Sequence, residues 1–177
     1  MHESSARPGS RSETASAIKD LLGGVAATAA AAGATHTDSF AENATSAIRY
    51  ELDASDVALR RSARSDVREF ATRMRDDFAR IQDGLNSFLG GTTGPTQPPE
   101  KTMKLHKILL DDLSGADDEH FDERYLTQQK LAHLEAVTLF KRYQNAGHND
   151  GIRNLCRLGL PVLEEHQRML DQLGGGG

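Results

Sequence analysis

Apolar residues recur at steps of three and four positions along most of this chain, which is the spacing of one face of an α-helix. The clearest series follows Asp66 and contains Val67, Phe70, Ala71, Met74, Phe78, Ile81, Leu85 and Phe88. Residues 39–61, 118–145 and 150–173 carry the same period, and no segment alternates apolar and polar residues as a half-buried strand does. The pattern predicts an all-α protein whose four long helices pack their apolar stripes together.

Local signals place the helix boundaries and leave one long connection. Ser39 and Glu42 have the spacing of a capping box, so we expect the first helix to begin near Ser39. The joint to the second helix is only a few residues long, so these two helices must be antiparallel neighbours. The next connection, residues 90–117, contains a linker rich in Pro and Gly and a short apolar helix over 103–113. Its length lets the second and third helices run parallel, as in a ferritin-like four-helix bundle.

The ends of the chain differ from this predicted bundle domain, which spans residues 38–173. Residues 1–37 are predicted to be a flexible tail, with a marginal helix over Ile18 to Ala34 that a pair of glycines weakens. That helix could dock on the bundle, pair with a second copy or lie on a membrane surface. The glycine run 174–177 is predicted to be a disordered tail.

Charge and hydropathy narrow the partners. The chain has 177 residues and a net charge of -5, and its arginine-rich stretch 60–75 is interleaved with acidic residues. We therefore do not expect nucleic-acid binding. The longest uncharged run, Leu21 to Thr35, is too short for a membrane span, which takes about 20 apolar residues. It follows a long polar stretch that a secretory signal peptide would lack, so we expect a cytoplasmic protein, with the periplasm as the alternative.

Four polar residues interrupt the apolar stripes, where buried groups need partners. His133 and His166 face inward on the third and fourth helices. Glu51 faces inward on the first helix, and Asp77 borders the seam of the second. If the second and third helices descend from the same end, a rise of about 1.5 Å per residue brings these groups within about one helical turn of each other. Each long helix therefore aims one carboxylate or imidazole at a shared layer.

Two interpretations of this layer stay open. The candidate metal ligands are Glu51, Asp77, His133 and His166, and imidazole with carboxylate suits iron, zinc or manganese. Alternatively, the carboxylates hydrogen-bond the histidines and satisfy buried polar groups, and no cofactor is needed. A di-iron bundle carries Glu-x-x-His on each of two helices, but neither inward histidine follows a Glu at that spacing. We therefore favour the structural network.

Several short motifs resemble those of a known bacterial family. They are Ser39-Phe40-Ala41-Glu42, Phe70-Ala71-Thr72-Arg73-Met74-Arg75-Asp76-Asp77, Phe121-Asp122-Glu123-Arg124-Tyr125, His133, and Leu160-Pro161-Val162-Leu163 followed by His166. In order and spacing they resemble the family called domain of unknown function 4142. The resemblance implies a ferritin-like four-helix bundle and no established activity. Many members of that family look exported, which this chain's N-terminal residues do not support.

One position departs from the family pattern. The second-helix motif of the family usually ends in an Asp-His pair, whereas Asp77 is followed here by Phe78. An imidazole that could have joined the layer is therefore missing, and Phe78 fits the apolar seam. If the family pattern is a metal site, the departure implies that this member has lost that site.

These observations support three hypotheses about function. The first is a non-enzymatic bundle that serves as an interaction or stress-related structural protein, with homo-oligomer formation left open. The second is a ferritin-like metal-binding or redox protein that uses the shared layer. The third is membrane-surface association through Ile18 to Ala34. The chain has no phosphate-binding loop, nucleophile elbow or zinc-finger spacing, which argues against an enzyme without deciding the question.

Overall fold

The computed structural model describes residues 35–89 and 100–174, and every regular element in those two ranges is an α-helix. The helices are α1 (Thr37–Arg61), α2 (Ser65–Leu89), α3 (Glu100–Ser114), α4 (Phe121–Ala146) and α5 (Asp150–Gly174). The predicted all-α helical bundle is therefore confirmed. The predicted marginal helix over 18–34 lies outside the described residues, so its role stays a prediction.

Helix α1 starts at Thr37 instead of at the predicted capping box. His36 stands at its N-cap without a side-chain hydrogen bond. The Ser39 carbonyl accepts a hydrogen bond from Asn43 Nδ2 (2.7 Å), as a position inside a helix can. The Thr37 hydroxyl is hydrogen-bonded to the Tyr143 hydroxyl at the far end of α4 (2.8 Å). The first turn of α1 is therefore held by a tertiary hydrogen bond, and no local side-chain cap holds it.

The contacts between helices decide their directions. α1 and α2 are antiparallel across the short joint 62–64, and α4 and α5 are antiparallel across 147–149. Phe40 at the start of α1 packs on Tyr143 at the end of α4, with 4.2 Å between ring centres, so α1 and α4 are also antiparallel. It follows that α2 and α4 run parallel, as the long connection predicted.

Helix α3 packs across the outside of α1 and α4. His106 of α3 is hydrogen-bonded to Ser46 Oγ (2.9 Å) and stacks on Tyr50, with 5.0 Å between the ring centres. Gln128 of α4 donates a hydrogen bond to the Leu109 carbonyl (3.2 Å). The crossover helix is therefore part of the packed structure, and it covers the side of the bundle where α1 meets α4.

Arg61 closes the turn between α3 and α4. Its guanidinium donates hydrogen bonds to the carbonyl oxygens of Ser114 (2.9 Å) and Ala116 (2.7 Å). The same group lies 4.7 Å from the centre of the Phe121 ring. These contacts join the last turn of α1 to the first residue of α4 and so help to set the height of α4.

Replacing Arg61 by alanine should lower the free energy of unfolding by about 1–3 kcal/mol, because the carbonyl groups of Leu113, Ser114 and Ala116 lose a charged donor and the Phe121 ring loses a cation. Urea unfolding followed by circular dichroism measures the change. Arg60→Ala is the matched control, since Arg60 is the exposed neighbour, and it should change stability by less than about 0.5 kcal/mol. Equal losses in the two variants would show that Arg61 does not hold this turn.

Candidate functional site

The four predicted layer residues meet in the middle of the bundle, one from each long helix. They are Glu51 on α1, Asp77 on α2, His133 on α4 and His166 on α5. Asp77 is 5% exposed, and the other three expose 1% or less of their surface. Asp77 and His133 lie equally far from the first residues of α2 and α4. The parallel direction of those two helices is therefore what brings the layer to one height.

The four side chains form a linear series and do not converge on one point. Asp77 Oδ2 lies 3.0 Å from His166 Nε2, and His166 Nδ1 lies 3.2 Å from His133 Nε2. His133 Nδ1 in turn lies 3.3 Å from Glu51 Oε1. Each imidazole lies between its two neighbours in the series and keeps them apart, with one ring nitrogen facing each neighbour. The order along this series, which we call the polar chain, is Asp77, His166, His133 and Glu51.

The outer end of the polar chain reaches the surface through arginines. Asp77 accepts hydrogen bonds from Arg73 Nε (2.6 Å) and from a terminal nitrogen of Arg80 (2.8 Å), and both arginine side chains are exposed. Burial raises the pKa of Asp77, but the hydrogen bonds from Arg73 and His166 together outweigh it, so the pKa is lowered. Asp77 is therefore ionised at neutral pH and can only accept hydrogen bonds.

The ionised Asp77 decides which nitrogen of His166 carries the proton. Burial lowers the pKa of His166 and outweighs the opposing hydrogen bond to Asp77, so the imidazole is neutral. Its one proton must lie on Nε2, because that nitrogen faces an acceptor. Nδ1 of His166 is then an acceptor as well, and Nε2 of His133 must donate to it. The direction of the hydrogen bonds is thus set from the Asp77 end.

The inner end of the polar chain is incomplete. Glu51 Oε1 approaches His133 Nδ1 to 3.3 Å without hydrogen-bond alignment, and neither oxygen of Glu51 has a hydrogen-bond partner in the described structure. Three links in a series need three shared protons. The hydrogen bonds from His166 to Asp77 and from His133 to His166 use one ring proton each. In the neutral form of His133, Nδ1 then has a lone pair that faces Glu51 Oε1.

Three further buried polar residues continue this inner end, and the sequence analysis did not single them out. They are Ser55, one turn from Glu51 on α1, and Gln129 and Tyr125, one and two turns from His133 on α4. Their side-chain oxygens and the Gln129 nitrogen have no well-aligned hydrogen-bond partner in the described structure. Burial raises the pKa of the Tyr125 phenol and outweighs the opposing effect of the nearby Ser55 hydroxyl, so the phenol stays neutral. Their spacing along the sequence could have identified them, since Ser55 is four residues from Glu51, and Gln129 and Tyr125 are four and eight residues from His133 on the inward stripes.

Phe78 covers the two imidazoles from the α2 side. Its ring meets His133 edge-on, with 5.6 Å between ring centres, and lies 6.1 Å from the centre of the His166 ring. The side chain that departs from the family pattern is therefore buried beside the polar chain and shields it from solvent.

The described ranges, 35–89 and 100–174, contain no group of three or more His, Cys, Asp or Glu side chains arranged to hold a metal ion. The linear order of the polar chain explains this finding, because each ring keeps its two neighbours apart. In the same ranges no helix combines the length and apolar content needed to cross a membrane.

Comparisons with known proteins agree with the fold. The model of a family described as "Domain of unknown function (DUF4142)" matches residues 23–173. A solved structure titled "Crystal structure of DUF305 fragment from Deinococcus radiodurans" is similar over 78% of this chain and 95% of its own, with a TM-score of 0.70 and 17% identity. At that identity the likeness shows the fold alone. No curated protein matches the chain.

The pH dependence of stability should identify His106 as a histidine that stays neutral when folded. Burial lowers its pKa from 6.5 to about 4. Between these values the unfolded chain binds a proton that the folded protein does not, so stability falls as the pH falls from 6.5 to 4. His106→Gln should remove about 2 kcal/mol of that loss of stability. This is less than the pKa shift alone would give, because His106 keeps some solvent contact that screens its charge.

Urea unfolding at several pH values gives this difference between wild type and variant. The comparison is necessary because Glu135, whose pKa burial raises to about 7, acts with the opposite sign. His148→Gln is the control, since His148 is exposed, and it should leave the slope unchanged. Parallel pH curves for wild type and His106→Gln would contradict the assignment.

Proposed function

Since this chain belongs to the DUF4142 family, whose description names no activity, we propose from its own residues that it is a non-enzymatic structural or interaction protein. The observation that carries the proposal is the polar chain. Its four ionisable groups are buried and face one another. A catalytic acid or base has to reach a substrate. These groups instead face one another inside the core and connect the helices that carry them.

The polar chain links all four long helices at one height. Asp77 joins α2 to α5, and the contact between His166 and His133 joins α5 to α4. Glu51 then faces α4 from α1. A shift of any helix by one residue moves its polar group by about 1.5 Å along the axis and out of reach of its partner. Buried polar groups that specify one arrangement of helices are known in bundles and coiled coils.

The two outer arginines support the same role. Arg73 and Arg80 hold Asp77 ionised from the surface, so the buried carboxylate is charged and paired. A buried charge costs little when it is paired in this way and a great deal when its partner is removed. Misaligned helices would therefore lose more free energy of folding through unpaired charges than the correct packing gains from the paired ones.

A structural role predicts different outcomes for breaking the polar chain and for replacing it. Asp77→Ala should lower the free energy of unfolding by about 2–3 kcal/mol, because His166 and two arginines lose a charged acceptor. Replacing all four groups by leucine should recover most of that loss, since apolar residues of similar volume often substitute for buried ion pairs. Thermal and urea unfolding measure both effects. Asp76→Ala, at an exposed neighbouring carboxylate, is the control and should be nearly neutral.

A deletion strain of the source organism extends the test to function. Under stress conditions that expose a growth defect, the fourfold leucine variant should restore growth as well as wild type does. A variant that folds with near-wild-type stability and yet fails to restore growth would show that the polar chain has a chemical role. That outcome would overturn the proposal.

A further inference from the structure

We propose that the inner end of the polar chain is a binding site for one divalent transition-metal cation, of which zinc is the probe, held between the Glu51 carboxylate and His133 Nδ1. The Gln129 side-chain oxygen and water complete its coordination. The inference goes beyond the proposed structural function and does not depend on it. It uses a smaller part of the four-residue layer, together with a residue from outside that layer.

The first observation is a group of orphaned polar atoms. Both Glu51 oxygens, His133 Nδ1 and both polar atoms of Gln129 are buried without a hydrogen-bond partner in the described structure. These three residues expose 1% or less of their surface. Buried polar atoms in native proteins are nearly always satisfied, by protein groups, by ordered water or by an ion. A cation can bind the lone pairs of the Glu51 oxygens, of His133 Nδ1 and of the Gln129 side-chain oxygen, whereas the Gln129 NH2 group needs an acceptor of its own.

The second observation is a distance. Glu51 Oε1 and His133 Nδ1 are 3.3 Å apart and are not aligned for a hydrogen bond. Zinc binds imidazole nitrogen and carboxylate oxygen at about 2.0–2.2 Å in a tetrahedral arrangement, in which neighbouring ligand atoms are about 3.3–3.5 Å apart. The two atoms therefore already have the spacing of neighbouring ligands on one ion.

The third observation is the direction of the polar chain. His133 donates its Nε2 proton to His166, which donates to Asp77. Histidines that bind metal characteristically donate their other ring N–H to an acceptor, which fixes the tautomer and the ring orientation. The Asp77 end thus prepares His133 Nδ1 as a lone-pair donor. A proton on either Glu51 or His133 is the competing way to relieve the contact.

Neutral oxygen donors lie one helical turn from each of the two anchoring residues. Gln129 lies on α4 between His133 and Tyr125, and Ser55 lies one turn from Glu51 on α1. Amide and hydroxyl oxygens are acceptable ligands for zinc and manganese when a carboxylate and an imidazole anchor the ion. One carboxylate offsets only half of a double charge, so we expect a moderate affinity. This ligand set holds just two ionisable groups, which agrees with the lack of any group of three in the described ranges.

The experiment measures zinc binding in the full chain. His36 and His148 form an exposed pair with 4.9 Å between ring centres, which could bind zinc at the surface. All proteins therefore carry His148→Gln as background. Protein freed of metal by chelator is dialysed against micromolar zinc and then against buffer, and zinc per chain is measured together with Tm. We expect one equivalent and a rise in Tm of several degrees.

Glu51→Gln separates the cation from the competing proton. In metal-free protein the introduced side-chain amide can donate to His133 Nδ1, so Tm should equal or exceed that of the parent. In zinc the variant should bind less than a tenth of an equivalent and show no rise in Tm. Gln129→Leu should weaken zinc binding at least tenfold. Glu135→Gln, at another partly buried carboxylate on α4, is the matched control and should bind zinc like the parent.

Three outcomes overturn the proposal. One is a parent protein that binds no zinc and keeps its Tm. Another is zinc binding that persists in Glu51→Gln. The third is a metal-free Glu51→Gln protein that is less stable than the parent, since this would mean that a proton already bridges Glu51 and His133. The growth assay with the fourfold leucine variant tests the structural function separately. The two proposals can therefore fail independently.

Discussion

The ionised Asp77 carboxylate sets the direction of the hydrogen bonds between the polar groups in the bundle core. Arg73 and Arg80 hold it charged from the surface, and it accepts the Nε2 proton of His166. Because a neutral imidazole that donates at one nitrogen must accept at the other, His166 accepts at Nδ1 the hydrogen bond that His133 Nε2 donates. Two exposed arginines thereby set the direction of the hydrogen bonds between the two buried histidines.

The two ends of the polar chain differ in how well their hydrogen-bonding groups are paired. Asp77 has three hydrogen-bond donors, whereas both oxygens of Glu51 have none in the described structure. Each unpaired buried polar atom costs about 1–3 kcal/mol, so a purely structural network would be expected to close both ends. Such a local cost is typical of sites that bind something. The structural role and the cation site are therefore compatible, since a bound ion would complete the network that joins the helices.

Two elements cover this centre and account for its burial. Phe78 lies against both imidazoles, and α3 shields the side where α1 meets α4. A histidine at position 78, which the family resemblance led us to expect, would add an ionisable ring where the apolar Phe78 ring now covers the core. Phe78 thus favours a single, well-defined polar chain over a wider cluster of ligands.

Hydrophobic periodicity by itself determined the helices and their inward stripes, because the side chains that share a helix face depend only on local spacing. Together with the helical rise and the parallel direction of α2 and α4, it also determined that Glu51, Asp77, His133 and His166 meet. The length of the connection between α2 and α4 determined that these helices run parallel. Tertiary structure alone decided that the four groups lie in series, because the side of each ring that faces a neighbour depends on how the helices pack. It also decided where α1 starts, since Thr37 bonds to Tyr143 from a helix more than a hundred residues later. The orphaned Ser55, Tyr125 and Gln129 became visible only there, because a polar residue on a stripe shows its lack of partners only when its surroundings are known.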